Sequence, residues 1–292
     1  MAVLALILSK IILIHGIWIN AYQGMGVMTE DVVRKIDLQQ FKHGIFKDFQ
    51  DLIIDEDILK IFINDKECFN LVFSMVHTRE LAAGMLYTQG VVEDRSEIRS
   101  IELDKESQVC HVVLDETATQ RFERFRKERQ TRGSSGGSFV VNQERPVSGT
   151  GTDTLRLGPG QVLSLIQQHW DASVLFHRTG AVHSAGLCSA EQILHYFEDI
   201  GRHNAVDKLA GDVVLNRRDV SDKIATLSCR MSLEIIGKLI RTGIRVVISN
   251  AAPTLSAVHL AQAHDLTVIG FARDNRFNVY TGGHRIIMDP TG

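Results

Sequence analysis

The sequence has 292 residues, which is enough for one large domain, or for a large and a small domain, with a substantial hydrophobic core. It contains 32 Lys and Arg against 35 Asp and Glu, and the formal net charge of −3 argues against a surface built for nucleic acid, so any anion site must be local. The four cysteines are widely spaced and form no C-x-x-C pair, which argues against a zinc knuckle or a disulfide framework and indicates a reducing cytoplasm.

The N-terminal stretch AVLALILSKIILIHGIWI, residues 2–19, is apolar in the manner of a signal sequence or a short membrane span. One lysine and one histidine interrupt it, and neither a basic segment before it nor a small-residue cleavage pattern after it is present. Two interpretations stay open: a genuine membrane or export segment, or an upstream extension, with Met25 or Met28 opening the functional chain. We therefore predict residues 1–45 to be an N-terminal extension of uncertain structure.

Residues 46–130 are predicted to form a small α+β domain. The apolar runs LKIFIN and CFNLVFSM flank a polar turn and predict a hairpin, and IRSIELD and VCHVVLD predict two further strands. The segment HTRELAAGMLYTQG predicts a helix that Thr78 caps and Gly90 ends. The strongly basic run ETATQRFERFRKERQ predicts a second helix.

Residues 131–158 are predicted to be a Gly/Ser loop and connector between two folded parts. Its first stretch, TRGSSGGSFV, combines backbone freedom with three serine hydroxyl groups and contains no thiol. Three interpretations are open: a linker, a phosphate cradle, or a reactive loop without its reactive atom.

Residues 159–292 show βα alternation, which predicts a parallel or mostly parallel sheet sandwiched between helices. The predicted strands are AVHSAGLC, ILHYFED, KIATLS, IRVVISN and LTVIGFA. The predicted helices are GQVLSLIQQHW, HNAVDKLAGDVVL, MSLEIIGKLIRTG and TLSAVHLAQAH. The fold class is therefore α/β.

Polar residues cluster where the strand ILHYFED ends, in the sequence FEDIGRHNAVDK. Open α/β sheets bind ligands at the carboxyl ends of their strands, so this cluster is a candidate site. A capping and salt-bridge cluster that closes the βα turn explains it equally well. Its polar members are Glu198, Asp199, Arg202, His203 and Asn204.

Two more strand ends carry candidate anion sites. The turn SNAAPT, residues 249–254, begins a helix whose N–H groups can hold an anion, although capping alone explains it nearly as well. In FARDNRFNVYT, Arg273 and Arg276 flank Asp274 and Asn275. Two arginines can clamp a phosphate while the carboxylate and amide read a base edge, whereas a solvated hairpin is the alternative.

Zinc-dependent deamination is a further chemistry that βα alternation permits, because His183 lies in the segment TGAVHSAG. That chemistry requires an H-x-E motif and a P-C-x-x-C motif. Ser184 and Ala185 follow the histidine and no C-x-x-C exists, so we predict no zinc site.

The longest motifs together are similar to those of one known family, the formate dehydrogenase accessory proteins, FdhD. They are TGAVHSAGL, EDIGRHNAVDKLAG, LSCRMSLEIIGK, SNAAPTLSAVHLA and GFARDNRFNVYT. With HTRELAAGMLYTQGVV upstream, the resemblance extends over residues 50–287 in uninterrupted order.

The resemblance implies a cytoplasmic homodimer whose larger domain is similar to a cytidine deaminase core without its zinc site. It also implies a sulfurtransferase, which accepts sulfur from a cysteine desulfurase as a persulfide. The sulfur is delivered to the molybdenum bis(molybdopterin guanine dinucleotide) cofactor that formate dehydrogenase needs. GDP is then expected to mimic part of the bound cofactor.

The resemblance further implies a cofactor-binding segment in the C-terminal region, and we add candidates from the neighbouring strand ends. The implied segment consists of Phe271, Ala272, Arg273, Asp274, Asn275 and Arg276. The added candidates are His183, Arg202, His203 and Asn204.

The Gly/Ser loop departs from the family pattern. Members carry the persulfide cysteine in a Gly-rich loop at this place, and here Ser134 or Ser135 stands at the expected position, with Ser138 at a second one. Serine cannot hold a persulfide, because that chemistry depends on a thiolate. Two functions remain open: a sulfur carrier of this family, or a molybdenum-cofactor-binding chaperone without sulfur transfer. Cys229 is a weaker candidate for the missing thiol.

Overall fold

The computed structural model describes residues 32–131 and 155–287, and the side chains of residues 129–131 lie outside the description. The described residues form three sheets, of two, four and six strands, together with the helices that cover them. The predicted mixture of helices and strands is therefore confirmed. No helix among the described residues is long and apolar enough to cross a membrane. Residues 2–19 lie outside the described part.

The first element of the described residues is a hairpin that was not predicted from the sequence. Strands β1 (Val33–Lys42) and β2 (Ile45–Ile54) pair antiparallel along their whole length. The rings of Phe41 and Phe46 meet at its tip, 5.1 Å apart, and both side chains are exposed. Because most of the hairpin faces water on both sides, its sequence lacks the alternation that marks a half-buried strand. The predicted boundary after residue 45 falls inside this hairpin, and the division into domains stays a prediction.

The small α+β unit contains the predicted strands and helices. Its strands are β3 (Asp57–Ile63), β4 (Lys66–Phe73), β5 (Ile98–Asp104) and β6 (Val109–Leu114), in the order β4-β3-β6-β5. Strands β3 and β6 run parallel, and the other two pairs are antiparallel. Helices α1 (Thr78–Thr88) and α2 (Glu116–Thr131) share one apolar core with this sheet.

The start of α1 differs from the prediction. Thr78 is the first helical residue and is buried, so it does not cap the helix. The cap position belongs to His77, which has a positive φ of 54° and makes no side-chain capping hydrogen bond.

The six-stranded sheet has the order β12-β11-β10-β9-β7-β8. Its strands are β7 (His183–Cys188), β8 (Ile193–Asp199), β9 (Ile224–Leu227), β10 (Val246–Ser249), β11 (Thr267–Arg273) and β12 (Arg276–Thr281). Only β9, β10 and β11 run parallel to one another. The prediction of a mostly parallel sheet is therefore wrong, because two antiparallel hairpins, β7–β8 and β11–β12, form its edges. A four-residue turn rather than a helix joins β7 to β8.

Helices cover both faces of this sheet. They are α3 (Pro159–Asp171), α4 (Val174–Thr179), α5 (Arg202–Leu215), α6 (Leu233–Thr242) and α7 (Leu255–Ala263). Ala225 and Leu227 belong to the core under α5, α6 and α7, whereas Ile224 belongs to the core under α3. Successive strand residues thus point to opposite faces, and each face is buried by its own helices.

The small unit and the six-stranded unit meet where α1 crosses α5. A Cβ added to Gly84 would lie 1.7 Å from the carbonyl oxygen of Asp207, and one added to Gly211 would lie 1.8 Å from that of Glu80. Only glycine allows the two backbones to approach so closely. Thr88 adds a 2.7 Å hydrogen bond from its hydroxyl to the Asp207 carboxylate. This crossing fixes β4 and α1 against the strand ends of the larger sheet.

Candidate functional site

A cavity of about 660 Å³ opens at the edge of the six-stranded sheet where β9, β10 and β11 end. Ser228 follows β9, Asn250 follows β10, and Arg273 is the last residue of β11. The carboxyl ends of parallel strands are where open α/β sheets place their ligands. Helices α3 and α4 and the segment that enters β7 supply the remaining walls. The size and position of the cavity suit a small-molecule site.

The turn between β11 and β12 forms one wall of this cavity. Asp274 and Asn275 both have positive φ, 50° and 59°, as in the two-residue turns that match the twist of a hairpin. Arg273 and Arg276 therefore stand opposite each other across the hairpin. The Arg273 side chain is about half exposed and lies 3.7 Å from the Asp274 carboxylate. A guanidinium held this loosely is free to bind an anion in the cavity.

Only part of the predicted cofactor segment lines the cavity. Ala272, Arg273 and Asp274 line the cavity. Phe271 has a positive φ of 52° at a β-bulge, and its N–H donates to the carbonyl of Ala251, 3.2 Å away. Asn275 and Arg276 sit in the hairpin turn and on β12, outside the lining.

His183 lies on the opposite wall, at the start of β7. Burial is the main cause that lowers the pKa of His183, and the charges of Arg202 and Arg230 lower it further. The imidazole is therefore neutral near pH 7 and can both donate and accept a hydrogen bond. The same two arginines give this side of the cavity a positive field. A neutral His183 in a positive field favours an anionic ligand with polar groups.

A buried histidine supports the cavity floor. His169, on α3, contacts two hydroxyl oxygens: Nδ1 lies 2.8 Å from Thr226 Oγ1, and Nε2 lies 2.8 Å from Ser184 Oγ. Burial lowers the pKa of His169 to about 3. The backbone carbonyl of His169 accepts a 3.0 Å hydrogen bond from the hydroxyl of Tyr196. This network fixes α3 to strands β7, β8 and β9.

The polar cluster at the end of β8 builds the turn rather than the cavity wall. The Asp199 carboxylate lies 2.5 Å from Lys208 Nζ, and both side chains are fully buried. Lys208 also donates to the carbonyl of Glu198 at 2.9 Å and to the Ser74 hydroxyl at 3.2 Å. The carboxylate of Glu198 accepts hydrogen bonds from two backbone N–H groups of α4, at 3.0 and 3.1 Å. These contacts match the capping and salt-bridge alternative.

The three other predicted residues of this cluster are not in the cavity lining. The His203 ring lies 2.9 Å from the carboxylate of Glu234. Asn204 donates hydrogen bonds to Asp199 and to the carbonyl of Val72, each at 2.9 Å. The charge of Arg202 helps to lower the pKa of His183 in the cavity wall. Ligand binding by the predicted residues stays a prediction.

None of the four cysteines is an activated thiol. Cys110, Cys188 and Cys229 are buried, and burial raises the pKa values of their thiols to about 11, 12 and 11. Cys68 is partly exposed on β4, and burial still raises its pKa. A thiol with a raised pKa is mostly protonated at neutral pH and is a poor nucleophile. The predicted loop positions, Ser134, Ser135 and Ser138, lie outside the described residues.

Several cavity residues were missed by the sequence analysis. Ser228 follows a buried strand and was not named, although the strand-end argument applied to Arg273 also points to it. Asn250, by contrast, belongs to the turn at residues 249–254, which was predicted as a candidate anion site. His169 and Trp170 lie on a helix that precedes the sheet, and no local motif marks them. Within residues 32–131 and 155–287, no group of three or more His, Cys, Asp or Glu is arranged to hold a metal ion. The absence of zinc stays a prediction.

The fold and the cavity define a mixed α/β protein with a polar cavity at the carboxyl edge of its main sheet. The model of the FdhD/NarQ family matches residues 54–287, so the chain belongs to this family, and the resemblance seen in the sequence is confirmed.

Known relatives agree with this assignment. The chain is 33% identical over 261 residues to the sulfur carrier protein FdhD of Staphylococcus haemolyticus, covering 89% of this chain and 98% of that protein. It is 34% identical over 262 residues to the sulfur carrier protein FdhD of Bacillus subtilis, covering 89% and 99%. A crystal structure described as a formate dehydrogenase accessory protein from Desulfotalea psychrophila has the same fold, with a TM-score of 0.72 and 24% identity. That match covers 88% of this chain and 100% of the other.

Proposed function

We propose that this chain is a sulfur carrier protein that serves formate dehydrogenase. It accepts sulfur as a persulfide from a cysteine desulfurase and delivers the sulfur to the molybdenum bis(molybdopterin guanine dinucleotide) cofactor. The proposal is supported by family membership over residues 54–287. It is also supported by relatives named sulfur carrier protein, whose alignment with this chain covers nearly their whole length. In this role the molybdenum cofactor is a bound substrate, and formate dehydrogenase is the protein that receives it.

The cavity at the carboxyl edge of the sheet is the observation that carries this proposal. It combines Arg273 beside Asp274 with a neutral His183 and the polar side chains of Ser228 and Asn250. An arginine suits a phosphate group, and the carboxylate and amides suit the hydrogen-bonding edge of guanine. The cavity volume fits a ligand of ordinary small-molecule size, hence one nucleotide end of the cofactor at a time. GDP is the corresponding soluble mimic.

The sulfur step requires a thiol that this sequence lacks at the expected place. Loop positions Ser134 and Ser135 carry hydroxyls, and the pKa values of all four cysteine thiols are raised by burial. This observation supports a second candidate function, a chaperone that binds the molybdenum cofactor without transferring sulfur. Both functions use the same cavity. They differ in whether the chain ever carries sulfur.

Sulfur uptake distinguishes the two functions. The unmodified chain and its Ser134→Cys and Ser135→Cys variants are incubated with a cysteine desulfurase and cysteine, and intact masses are compared. We expect one of the two variants to gain one sulfur atom, because the basic helix α2 leads into the loop and favours a thiolate there. Ser138→Ala serves as the matched loop control. Sulfur on the unmodified chain at Cys188 or Cys229 would support the carrier function and contradict the loop assignment. An unmodified chain that gains no sulfur, even where a cysteine variant does, would contradict the carrier function of this chain and support the chaperone.

Three finer features belong to the same proposal. The larger unit is a cytidine-deaminase-like domain in which the zinc site is absent, and its layering of helices around one sheet supports this. The protein is a cytoplasmic homodimer, which fits four unpaired cysteines and the family resemblance. Nucleic acid is not a partner, consistent with the net charge of −3.

A further inference from the structure

The cavity has an aromatic wall in addition to its polar one. Trp170, near the C-terminal end of α3, and Phe176, on α4, line the same cavity as Arg273. The Trp170 side chain is 46% exposed, although tryptophan is usually highly buried. Part of this residue therefore borders the same space as the polar groups.

The indole of Trp170 is held in place by its neighbours. Its ring centroid lies 5.3 Å from that of Phe176 and 5.1 Å from that of His177, with interplanar angles of 64° and 83°. His177 Nε2 also lies 2.8 Å from the Trp170 carbonyl. Because both ring contacts are edge-on, neither neighbour covers the indole by parallel stacking. The ring is pre-oriented and still has surface available for a flat ligand.

We propose that Trp170 is the stacking residue for a fused heteroaromatic ring, whose phosphate groups bind on the Arg273 side of the cavity. This inference rests on the proposed nucleotide function of the cavity and adds the residue that recognises the ring. Stacking on an aromatic side chain is selective for planar rings but tolerant of their substituents. Guanine and pterin share this chemistry, and both occur in a molybdopterin guanine dinucleotide.

Binding measurements with ligands that contain or lack a heteroaromatic ring, on proteins that contain or lack the Trp170 indole, test this role. All proteins carry Trp18→Phe, which leaves Trp170 as the only tryptophan of the sequence. GDP, 6-hydroxymethylpterin and pyrophosphate are titrated by calorimetry into this parent and into its Trp170→Leu, Trp170→Phe and Val174→Ala variants. Val174 is a matched control, because it is 50% exposed beside α3 but does not line the cavity. Tryptophan fluorescence of the parent is recorded in parallel.

We expect Trp170→Leu to weaken binding of GDP or of the pterin at least about tenfold, equivalent to about 1.4 kcal/mol. Trp170→Phe retains an aromatic ring and should lose less affinity, and Val174→Ala should bind with the parent's affinity. The ligand that Trp170→Leu binds more weakly should also quench the tryptophan fluorescence of the parent. Pyrophosphate affinity is equal in all proteins.

Wild-type affinity of Trp170→Leu for both ring ligands would overturn the stacking role and leave the nucleotide cavity intact. Loss of pyrophosphate binding in Trp170→Leu would instead assign Trp170 a structural role. A parent that binds pyrophosphate but neither ring ligand would contradict the proposed function of the cavity, and the stacking role with it.

Discussion

His169 makes the stability of the cavity floor dependent on pH. The pKa of this fully buried imidazole is about 3 in the folded protein, against about 6.5 for an unperturbed histidine. The folded state thus binds the proton more weakly than the unfolded state, so the stability is fully present above pH 6.5 and is lost as the pH falls toward 3. Between pH 7 and pH 4.5 the loss from this one group is about 2.5 kcal/mol.

Replacing His169 by Gln isolates this contribution, because the amide keeps a donor and an acceptor for Thr226 and Ser184 but does not titrate. Urea unfolding at pH 7 and pH 4.5 gives the free energy of unfolding of each protein at each pH. We expect the fall in stability on acidification to be smaller in His169→Gln by about 2.5 kcal/mol. Parallel falls in the two proteins would refute the argument, because they would place the acid-sensitive groups elsewhere.

Two further predictions concern the junction between the small and the large unit. Lys208→Met should lower the free energy of unfolding by about 3–5 kcal/mol, because it leaves the fully buried Asp199 carboxylate without its cation. Adding Asp199→Asn should restore more than half of the loss, as measured by urea unfolding. Equal stability of the single and the double variant would contradict this prediction. Gly84→Ala should cost at least about 2 kcal/mol in the same assay, because its Cβ would lie 1.7 Å from the Asp207 carbonyl oxygen. Gly160→Ala is the matched control, since no atom lies within 4 Å of its added Cβ; equal costs at the two positions would rule out the close helix crossing.

Buried helices and strands with a clear periodicity of apolar residues could be predicted from the sequence, and elements without such a periodicity could not. Helix α6 has an apolar face packed in the main core, and its boundaries agree with the prediction to within a few residues. The β1–β2 hairpin was missed because both of its faces are largely exposed. The antiparallel direction of β7 and β8 was missed because alternating apolar strands look the same in either direction, and only the short turn after Cys188 distinguishes them.

The candidate site shows the same limit. Arg273 and His183 were found because charged and polar residues next to buried strands are conspicuous, and the topology brings these strand ends to one edge. The residues at the end of β8 look equally polar in the sequence, but the Asp199 carboxylate is paired with Lys208, and this pairing depends on how α5 packs. His169 and Trp170 reach the cavity from a separate helix. Their roles depend on tertiary packing, which no local pattern reveals.

The central claim, that the cavity at the sheet edge binds the guanine nucleotide end of a cofactor, is tested most directly by calorimetry with GDP. We compare the unmodified chain with Arg273→Ala/Arg276→Ala and with a control, Arg34→Ala/Arg217→Ala, which removes two exposed arginines that pair with Asp55 and Asp94. Because Arg273 lines the cavity and a charge-assisted hydrogen bond contributes about 1.5–3 kcal/mol, we expect the first double variant to bind GDP at least about tenfold more weakly. The control should bind as the unmodified chain does. Equal affinity of all three proteins for GDP would contradict the account and remove this cavity as the nucleotide site.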